Sequence, residues 1–341
     1  MTTAYITDSR FDAHTLAGHV EVAARLVAIR DVMAAQHLPD RMLAVTPVEA
    51  THDQLCAVHT GEYLDLLTWT ETQRGLMLGP DTYVLPESFR VARLSAGAAI
   101  SGVDAVLKGN ADNVLVCARP PGHHATPSMG MGFCLLSNVA LAVRHAQRAY
   151  GLNRVMIVDY DVHHGNGTQD AFYADPDVMF VSTHQYPWYP GTGALTEIGT
   201  GAGKGTTVNV PLPAGTGDKG YAQVFERIVW PVAWRFQPEL IVVSAGFDAH
   251  WADQLGQIKL TLSGYNHLTR ELIRMAKTLC GGKVVFVLEG GYNLTSLSNG
   301  VANVAYALLQ DSQHLDPLGA ASGTEPDIQP LIAEIAALHG L

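Results

Sequence analysis

Three residues that could carry chemistry stand in one short run: Asp159, Asp161 and His163. In an extended chain successive side chains point to opposite sides, so these three would project to one side and could converge on one point. Together with Asp248, two carboxylates and an imidazole would leave positions open for water and substrate, as a catalytic zinc ion requires. The structural alternative for this run is a helix-capping Asp beside a core His whose hydrogen bonds are satisfied. For Asp248 taken alone, a structural role and a ligand role are equally compatible with the sequence.

A second feature is the adjacent pair His123 and His124, which follows Pro-Pro-Gly. Two imidazoles in a rigid loop could serve as a general acid/base pair if carboxylate or amide partners fix their tautomers. Asp159 and Asn166 are the candidate partners. The chain holds 15 His against 21 Lys and Arg, and imidazoles titrate near neutrality and bind metals. We therefore expect a few of them to do chemistry and the rest to lie on the surface or in the core.

The elements that must position these groups are short apolar runs rich in β-branched residues, which predict buried parallel strands. They cover residues 114–117, 155–158, 178–182, 240–243 and 284–288. Between them, helical spacing of apolar residues predicts helices over 137–150, 221–236 and 261–279. Strand alternating with helix predicts an α/β fold, a doubly wound, mostly parallel sheet flanked by helices, with functional residues beyond the carboxyl ends of the strands. No linker or repeat interrupts the chain, so a single domain over residues 1–341 is expected.

Composition excludes several classes of function. The net charge is -11, with no cluster of Lys and Arg, so nucleic-acid binding is not expected, whereas a cationic substrate would be tolerated. The four cysteines are scattered and form no C-x-x-C, which speaks against a cysteine zinc site or a disulfide framework. The N-terminus lacks a signal-peptide pattern, and no long uncharged apolar stretch appears. We expect a cytoplasmic protein with no membrane partner.

Six motifs stand in the order typical of one family, and the chain resembles the histone deacetylases and acetylpolyamine amidohydrolases, in particular class II-like bacterial deacetylases. The motifs are Arg119-Pro-Pro-Gly-His-His124, Gly132-Phe-Cys134, Asp159-Tyr-Asp-Val-His-His-Gly-Asn-Gly167, Pro190-Gly-Thr-Gly193, Gly246-Phe-Asp248 and Glu289-Gly-Gly-Tyr-Asn293. Weaker similarities lie around Glu21 and Arg25. The resemblance implies an arginase-deacetylase fold and a zinc hydrolase that acts on linear amide C–N bonds, removing acetyl or other acyl groups from amines.

The same resemblance assigns roles around one zinc ion per chain. Asp161, His163 and Asp248 would hold the metal. The implied catalytic residues are His123, His124, Asp159 and Tyr292. By family analogy one imidazole, His124, takes the proton of the attacking water, His123 with Asp159 acts electrostatically, and the Tyr292 hydroxyl stabilises the oxyanion. The sequence does not separate the roles of the two imidazoles.

The partner expected beside His124 departs from many nuclear deacetylases. Asn166 stands where those relatives carry Asp, which places the chain nearer the class II and bacterial branches. A neutral partner would raise the pKa of that imidazole less than a carboxylate would.

The resemblance also implies a narrow substrate tunnel. Phe133 and Tyr189 would form its aromatic walls, the Gly132 carbonyl would accept the substrate amide N–H, and Leu255 would lie at the rim. Aromatic walls suit the aliphatic stem of acetyl-lysine or of an acetylated polyamine. Polyamine-selective relatives carry a glutamate at the position of Leu255, so acetyl-lysine in proteins or peptides, or a related small amide, is favoured. An acetylpolyamine is the alternative substrate.

A structural potassium ion is implied as a further cofactor, because oxygen-rich ligation suits such a cation. Its expected ligands are Asp159, Asp161, His163 (main chain), Ser182 and Thr183. The carbonyls of Phe172, Asp175 and Val178 resemble a second potassium site.

Two other functions remain as alternatives to a deacetylase. A dimanganese ureohydrolase of the same fold would explain Asp248-Ala-His250 but neither the tandem histidines nor Tyr292. A non-catalytic acyl-lysine binding protein would keep the pocket without turnover, and the intact Tyr292 and histidine pair speak against it. A homo-oligomer is compatible with the sequence.

Overall fold

The computed structural model describes residues 1–341 and is built on an eight-stranded sheet. Its strands are β1 (Thr3–Ile6), β2 (Leu43–Ala44), β5 (Asn113–Val116), β6 (Val155–Asp159), β7 (Val178–Gln185), β8 (Thr207–Leu212), β9 (Leu240–Ala245) and β10 (Val284–Leu288). Every pairing between them is parallel, in the order β2-β1-β5-β10-β9-β6-β7-β8. A separate antiparallel pair joins β3 (Leu76–Met77) to β4 (Tyr83–Val84).

Helices flank this sheet. They are α1 (Ala24–Ala35), α2 (His52–Leu55), α3 (Gly61–Thr70), α4 (Ser88–Leu107), α5 (Asn138–Tyr150), α6 (Asn166–Phe172), α7 (Asp218–Val224), α8 (Trp230–Phe236), α9 (Leu262–Leu279), α10 (Leu294–Leu308) and α11 (Gln329–His339). A π-helical turn, Phe225–Val229, joins α7 to α8, so the helix expected over 221–236 is one continuous helical segment. None of the helices combines the length and the apolar character needed to cross a membrane.

The burial of the strands on both faces of the sheet explains why they appear in the sequence as apolar runs. All five residues of β6 are buried, because this strand lies between β9 and β7 and is covered on both faces. The buried apolar side chains form one continuous cluster of 90 residues. The predicted fold class, a mostly parallel sheet flanked by helices, is confirmed.

Helix α4 packs unusually close to the segment before α2. The backbone N–H of Ala50 donates to the Arg93 carbonyl at 2.9 Å. A Cβ added at Gly97 would overlap the Val48 carbonyl oxygen. Glycine is therefore required at this point of the helix by the approach of another backbone.

The strand order brings four chemically rich loops together. β5, β10, β9 and β6 are consecutive neighbours in the sheet, and parallel strands present their carboxyl ends at one edge. The loops that follow them carry the histidine pair, Tyr292, Asp248 and the run from Asp159 to His163. This edge is where the candidate site forms.

Candidate active site

Three potential metal ligands converge at the carboxyl ends of β6 and β9. One ligand atom each of Asp161, His163 and Asp248 lies within 4.8 Å of the others. His163 Nδ1 is 3.1 Å from Asp161 Oδ1 and 3.3 Å from Asp248 Oδ2. Both carboxylates are fully buried. The structure thus brings together the set expected from the sequence.

These residues suit a divalent metal. Burial, and then the neighbouring charge of Asp161, raise the pKa of Asp248 to about 7. Asp248 Oδ2 is buried and forms no complete hydrogen bond, although His163 Nδ1 is near. A buried carboxylate oxygen without a complete hydrogen bond is costly, and a cation would remove that cost. A Cβ at Gly290 would overlap Asp248 Oδ2, so glycine keeps the space beside the carboxylates free. Two carboxylates and an imidazole are a donor set that fits zinc.

The side chain of Asp159 takes a different direction. β6 ends at this residue and the chain bends over 161–163, so the alternation of an extended chain does not continue. Asp159 Oδ2 lies 3.0 Å from His123 Nδ1, and its Oδ1 accepts the Asp161 N–H at 3.1 Å. The three-residue convergence expected from strand geometry is therefore wrong for Asp159, whereas the expected partnership with His123 is present in the structure.

The two adjacent imidazoles sit in different electrostatic surroundings. Burial opposes a charge on His123, but the carboxylates of Asp161 and Asp159 outweigh it and raise its pKa to about 10. Burial, followed by the charges of His123 and His163, lowers the pKa of His124 well below its usual value. Their ring centroids are only 4.0 Å apart. One ring is therefore positively charged at neutral pH and the other neutral.

Asn166 fixes the proton of the neutral ring. Its Oδ1 lies 2.7 Å from His124 Nδ1 and can only accept, so the proton of His124 is assigned to Nδ1. The Nε2 lone pair then remains available as a base.

Glu289 holds the loop that carries the histidine pair. This buried residue directly follows β10. Its Oε2 accepts the N–H groups of Gly122 at 2.6 Å and His123 at 3.1 Å. The Glu289 carboxylate therefore ties the end of one strand to the loop after another.

Tyr292 lies in the turn after β10. Its ring packs edge-on against Phe133, with centroids 5.6 Å apart, and the Arg25 guanidinium lies 4.9 Å from its centroid. Burial raises the pKa of the phenol well above its ordinary value. The hydroxyl therefore keeps its proton and can donate a hydrogen bond.

A buried ion cluster supports that turn from behind. Arg25 Nε donates to the Gly291 carbonyl at 2.7 Å and its Nη2 to the Glu289 carbonyl at 2.5 Å. Glu21 pairs with Arg25 at 3.1 Å and with Arg119 at 2.6 Å. The weak N-terminal similarities at Glu21 and Arg25 thus belong to the support of the site.

The paired imidazoles, His163 and Tyr292 face a cavity of about 290 Å³. It is lined by Asp81, Pro121, His123, His124, Gly132, Phe133, His163, Trp188, Tyr189, Gln254, Leu255 and Tyr292. All four expected substrate residues are among them. At the rim the Trp188 indole N–H donates to the Leu255 carbonyl at 2.9 Å.

Sequence reasoning missed Asp81 and Trp188 in this cavity. Trp188 lies in an aromatic and proline-rich run directly after β7, and the strand-end rule that found the other residues would have pointed to it. Asp81 precedes the two-residue strand β4, where no pattern in the sequence marks it.

The residues expected at the first potassium site are close to one another. Asp159 pairs with Ser182 across β6 and β7, and Thr183 Oγ1 donates to the Asp159 carbonyl at 3.3 Å. At the second expected site the carbonyls of Phe172 and Asp175 already accept hydrogen bonds, from the Asp175 N–H and the Thr206 hydroxyl. Both potassium sites stay predictions.

Comparison with known proteins extends the similarity over most of the chain. The family described as "Histone deacetylase domain" matches residues 19–308. "Histone deacetylase 14, chloroplastic" of Arabidopsis thaliana is 44% identical over 314 residues, covering 87% of this chain and 74% of the relative. "Polyamine deacetylase HDAC10" of Mus musculus is 41% identical over 305 residues, covering 86% of this chain and 45% of the relative.

A solved structure has a fold similar to that of this chain. The structure described as "Crystal Structure of HDA15 HD domain" superposes with a TM-score of 0.91 at 37% sequence identity, over 99% of this chain and 94% of the other. The mostly parallel eight-stranded sheet and its flanking helices are therefore the fold of that solved structure.

Proposed function

The chain belongs to the histone deacetylase family, and from that premise we propose that it is a zinc-dependent deacetylase that removes acetyl groups from amines. One observation carries the proposal: the paired imidazoles, the Tyr292 phenol and His163 line a single cavity, and His163 brings with it the metal group that it forms with Asp161 and Asp248. A hydrolase acting on an amide needs a Lewis acid, a base and an oxyanion donor at one point, and these residues could provide all three.

The residues divide the chemistry as follows. A zinc ion held by Asp161, His163 and Asp248 would supply a Lewis acid that polarises the amide carbonyl and makes water more acidic. His124, neutral and with Nε2 free, accepts the proton of the attacking water and returns it to the leaving amine. The Tyr292 hydroxyl donates to the oxygen on which negative charge develops. His123, charged beside Asp159, stabilises the same charge without transferring a proton.

We propose acetyl-lysine in proteins or peptides, or a related small amide, as the substrate. The aromatic side chains of Phe133 and Tyr189 suit an aliphatic stem, and the Gly132 carbonyl can accept the amide N–H. Leu255 at the rim offers no charge to a second amine. An acetylated polyamine is the second candidate, favoured by the carboxylate of Asp81, which lines the same cavity.

Further features belong to the proposal. One zinc ion per chain and a structural potassium ion beside Asp159, Ser182 and Thr183 are proposed as cofactors. A cytoplasmic location is proposed because all four cysteines are free thiols, as a reducing compartment would keep them. The three-residue ligand set and the tandem histidines support the deacetylase over a dimanganese ureohydrolase.

The test is turnover on a panel of substrates: an acetyl-lysine peptide, acetylputrescine, acetylspermidine and trifluoroacetyl-lysine. Each is measured with the zinc-loaded protein, after chelation, and after zinc is added back. We expect hydrolysis that is lost on chelation and restored by zinc, with the highest kcat/KM for the peptide. No turnover on any substrate with zinc bound would contradict the enzyme and leave the acyl-lysine binding protein. A higher kcat/KM for acetylspermidine would select the polyamine alternative.

A further inference from the structure

One buried carboxylate outside the metal group and outside the cavity lining spans two parts of the site. Asp253 is only 5% exposed. Its Oδ2 accepts the backbone N–H groups of Tyr292 at 2.6 Å and Asn293 at 2.8 Å, and its Oδ1 accepts the N–H of Leu255 at 3.0 Å. The same side chain therefore binds the turn that carries the phenol and the segment that forms the rim.

The turn it binds needs external support. Gly291 has φ +117°, in the region that favours glycine, so the chain has little conformational preference of its own here. Gly290 N–H donates to Asp161 Oδ2 at 2.8 Å, and Arg25 holds the Gly291 carbonyl. These bonds fix the turn up to Gly291. Beyond it, Asp253 holds the backbone N–H of Tyr292 at 2.6 Å, whereas the Tyr292 carbonyl has only a long contact of 3.5 Å with Gln254 Nε2.

Capping of the following helix does not account for these bonds. α10 has its own cap, because Asn293 Oδ1 accepts the Ser296 N–H at 3.0 Å. Asp253 instead binds the N–H of the cap residue and of Tyr292 before it. Its hydrogen bonds thus go to the turn that sets the phenol and not to the first turn of the helix.

We propose that Asp253 is a positioning residue for the deacetylation reaction. It fixes the backbone of Tyr292 relative to Leu255 and thereby sets where the phenol O–H meets the developing oxyanion. The inference rests on the proposed function, because it assigns Tyr292 as the oxyanion donor. Asp253 lies outside the cavity lining; it acts on the chemical step through Tyr292 and on the rim through Leu255.

The role requires a carboxylate. Two oxygens accept three N–H groups, whereas an asparagine has one acceptor oxygen and would turn its NH2 group toward one set of donors. Asp253→Asn therefore removes either the bond to Leu255 or the pair to Tyr292 and Asn293, with little change in volume.

The same carboxylate couples the rim to the phenol. The Leu255 carbonyl accepts the indole N–H of Trp188, and the Leu255 backbone N–H donates to Asp253. The rim segment is therefore held from both sides. The position of Tyr292 and the shape of the mouth therefore depend on one side chain.

The test is a double-mutant cycle on the zinc-loaded enzyme. Asp253→Asn should lower kcat by roughly 10- to 100-fold, the scale of a donor misplaced by about an ångström, with a much smaller change in KM. In the Tyr292→Phe background, where no hydroxyl remains to be positioned, the same change should cost less than about threefold. The same fold-loss in both backgrounds, or an unchanged kcat in both Asp253→Asn and Asp253→Ala, which keeps none of the three bonds, would overturn the inference.

Glu239→Gln is the matched control. Glu239 Oε2 also accepts two consecutive backbone N–H groups, those of Asn153 and Arg154, each at 2.9 Å. These residues precede β6 and β9, so this contact lies at the amino ends of the strands, away from the site. This variant should leave kcat unchanged. If Asp253→Asn does not yield folded protein, Asp253→Glu, which keeps the charge and displaces it by one methylene, passes through the same cycle with the same criteria.

A second readout does not depend on turnover. In protein labelled with 3-fluorotyrosine, the 19F resonance of Tyr292 is assigned by its loss in Tyr292→Phe. Asp253→Asn should shift or broaden this resonance, and Glu239→Gln should not. An unmoved Tyr292 resonance would refute the positioning role, while an inactive wild type with a shifted resonance would refute the proposed function alone.

Discussion

The Tyr292 hydroxyl is the group whose chemical role can be tested most directly. Burial keeps the phenol protonated, so it can only donate to the oxyanion. Tyr292→Phe should therefore lower kcat by about 100-fold or more, the loss typical of one oxyanion donor. The measurement is steady-state kinetics on the acetyl-lysine peptide, with zinc content checked by metal analysis. An unchanged kcat at full zinc occupancy would mean that the hydroxyl does not reach the oxyanion.

The buried pair Asp161 and Asp248 predicts an unusual effect of metal removal on stability. Without a cation the two carboxylates repel each other, whereas Asp248→Asn relieves the repulsion and can still accept the Val162 N–H now bound by Oδ1 at 3.0 Å. In chelator, Asp248→Asn should melt above the wild type by at least about 1 °C, the scale of one kcal/mol in a chain of 341 residues. With zinc added the order should reverse, because only the wild type gains binding energy.

Calorimetry with and without zinc checks this order of melting temperatures. Asp218→Asn, at a carboxylate outside the metal group, serves as control, since it keeps all three metal ligands and its melting temperature should rise with zinc as much as that of the wild type. If Asp248→Asn melts below the wild type even in chelator, the two carboxylates do not repel in the metal-free protein.

Among individual residues, the sequence predicted the side chains that do the chemistry better than the side chains that position them. Asp161, His163 and Asp248 could be found because each follows a recognisable strand. Asp253 could not, because the partners that give it its role are the backbone N–H groups of Tyr292 and Asn293, 39 and 40 residues further along the chain, which carry no sequence pattern. The direction of Asp159 was equally hidden, since it depends on where β6 stops.

Among the elements, α4 offers a test of close backbone packing. A methyl group at Gly97 would overlap the Val48 carbonyl, so Gly97→Ala should destabilise the protein by about 1–3 kcal/mol, despite the better helix propensity of alanine. Gly61→Ala is the matched control, because Gly61 begins α3 and has open space around it. Urea unfolding of both variants checks the difference. Equal stability of the two would show that α4 can shift away from residue 48.

The elements that sequence reasoning found are those with continuous apolar runs. β6 and β10 lie inside the sheet, and their boundaries were predicted to within one residue. β8 was missed because it lies at the sheet edge and contains Pro211, which weakens a strand pattern. α4 was missed although it has 20 residues, because its many Ala, Gly and Ser residues blur the apolar spacing.

For the whole molecule, the arrangement of the sheet separates packing from chemistry. One continuous apolar core holds the strands, and the polar groups of the site lie beyond the carboxyl ends of four neighbours. This continuity supports the proposal that residues 1–341 form a single domain. The order of the strands could not be predicted from the sequence, because β10 pairs with β5 and β9, which lie far apart along the chain.

Buried neutral histidines should make the stability of the whole molecule depend on pH. Burial lowers the pKa of His59 to about 4, and both of its nitrogens are engaged, by the Thr126 carbonyl at 3.1 Å and the Ser137 N–H at 3.0 Å. The unfolded chain takes up this proton near pH 6.5 and the folded chain only near pH 4. The stability contributed by His59 is therefore complete above pH 6.5 and is lost as the pH falls toward 4.

Between pH 6.5 and 5 this loss amounts to about 2 kcal/mol, since one pKa unit corresponds to about 1.4 kcal/mol. We expect the free energy of unfolding to fall less between pH 8 and pH 5 in His59→Gln than in the wild type, by about that amount. Urea unfolding at the two pH values measures it. An identical fall in both proteins would show that His59 is accessible to protons in the folded state.

The rim contact between Trp188 and Leu255 also gives the molecule an intrinsic optical probe. Of the five tryptophans, Trp188 is the one that lines the cavity, and its indole N–H is bound at the mouth. Indole emission depends on hydrogen bonding and on the polarity of its surroundings, so an occupant that enters past the rim changes the light that this residue emits. Binding at the mouth can thus be followed by fluorescence in the unlabelled protein, separately from any chemical step.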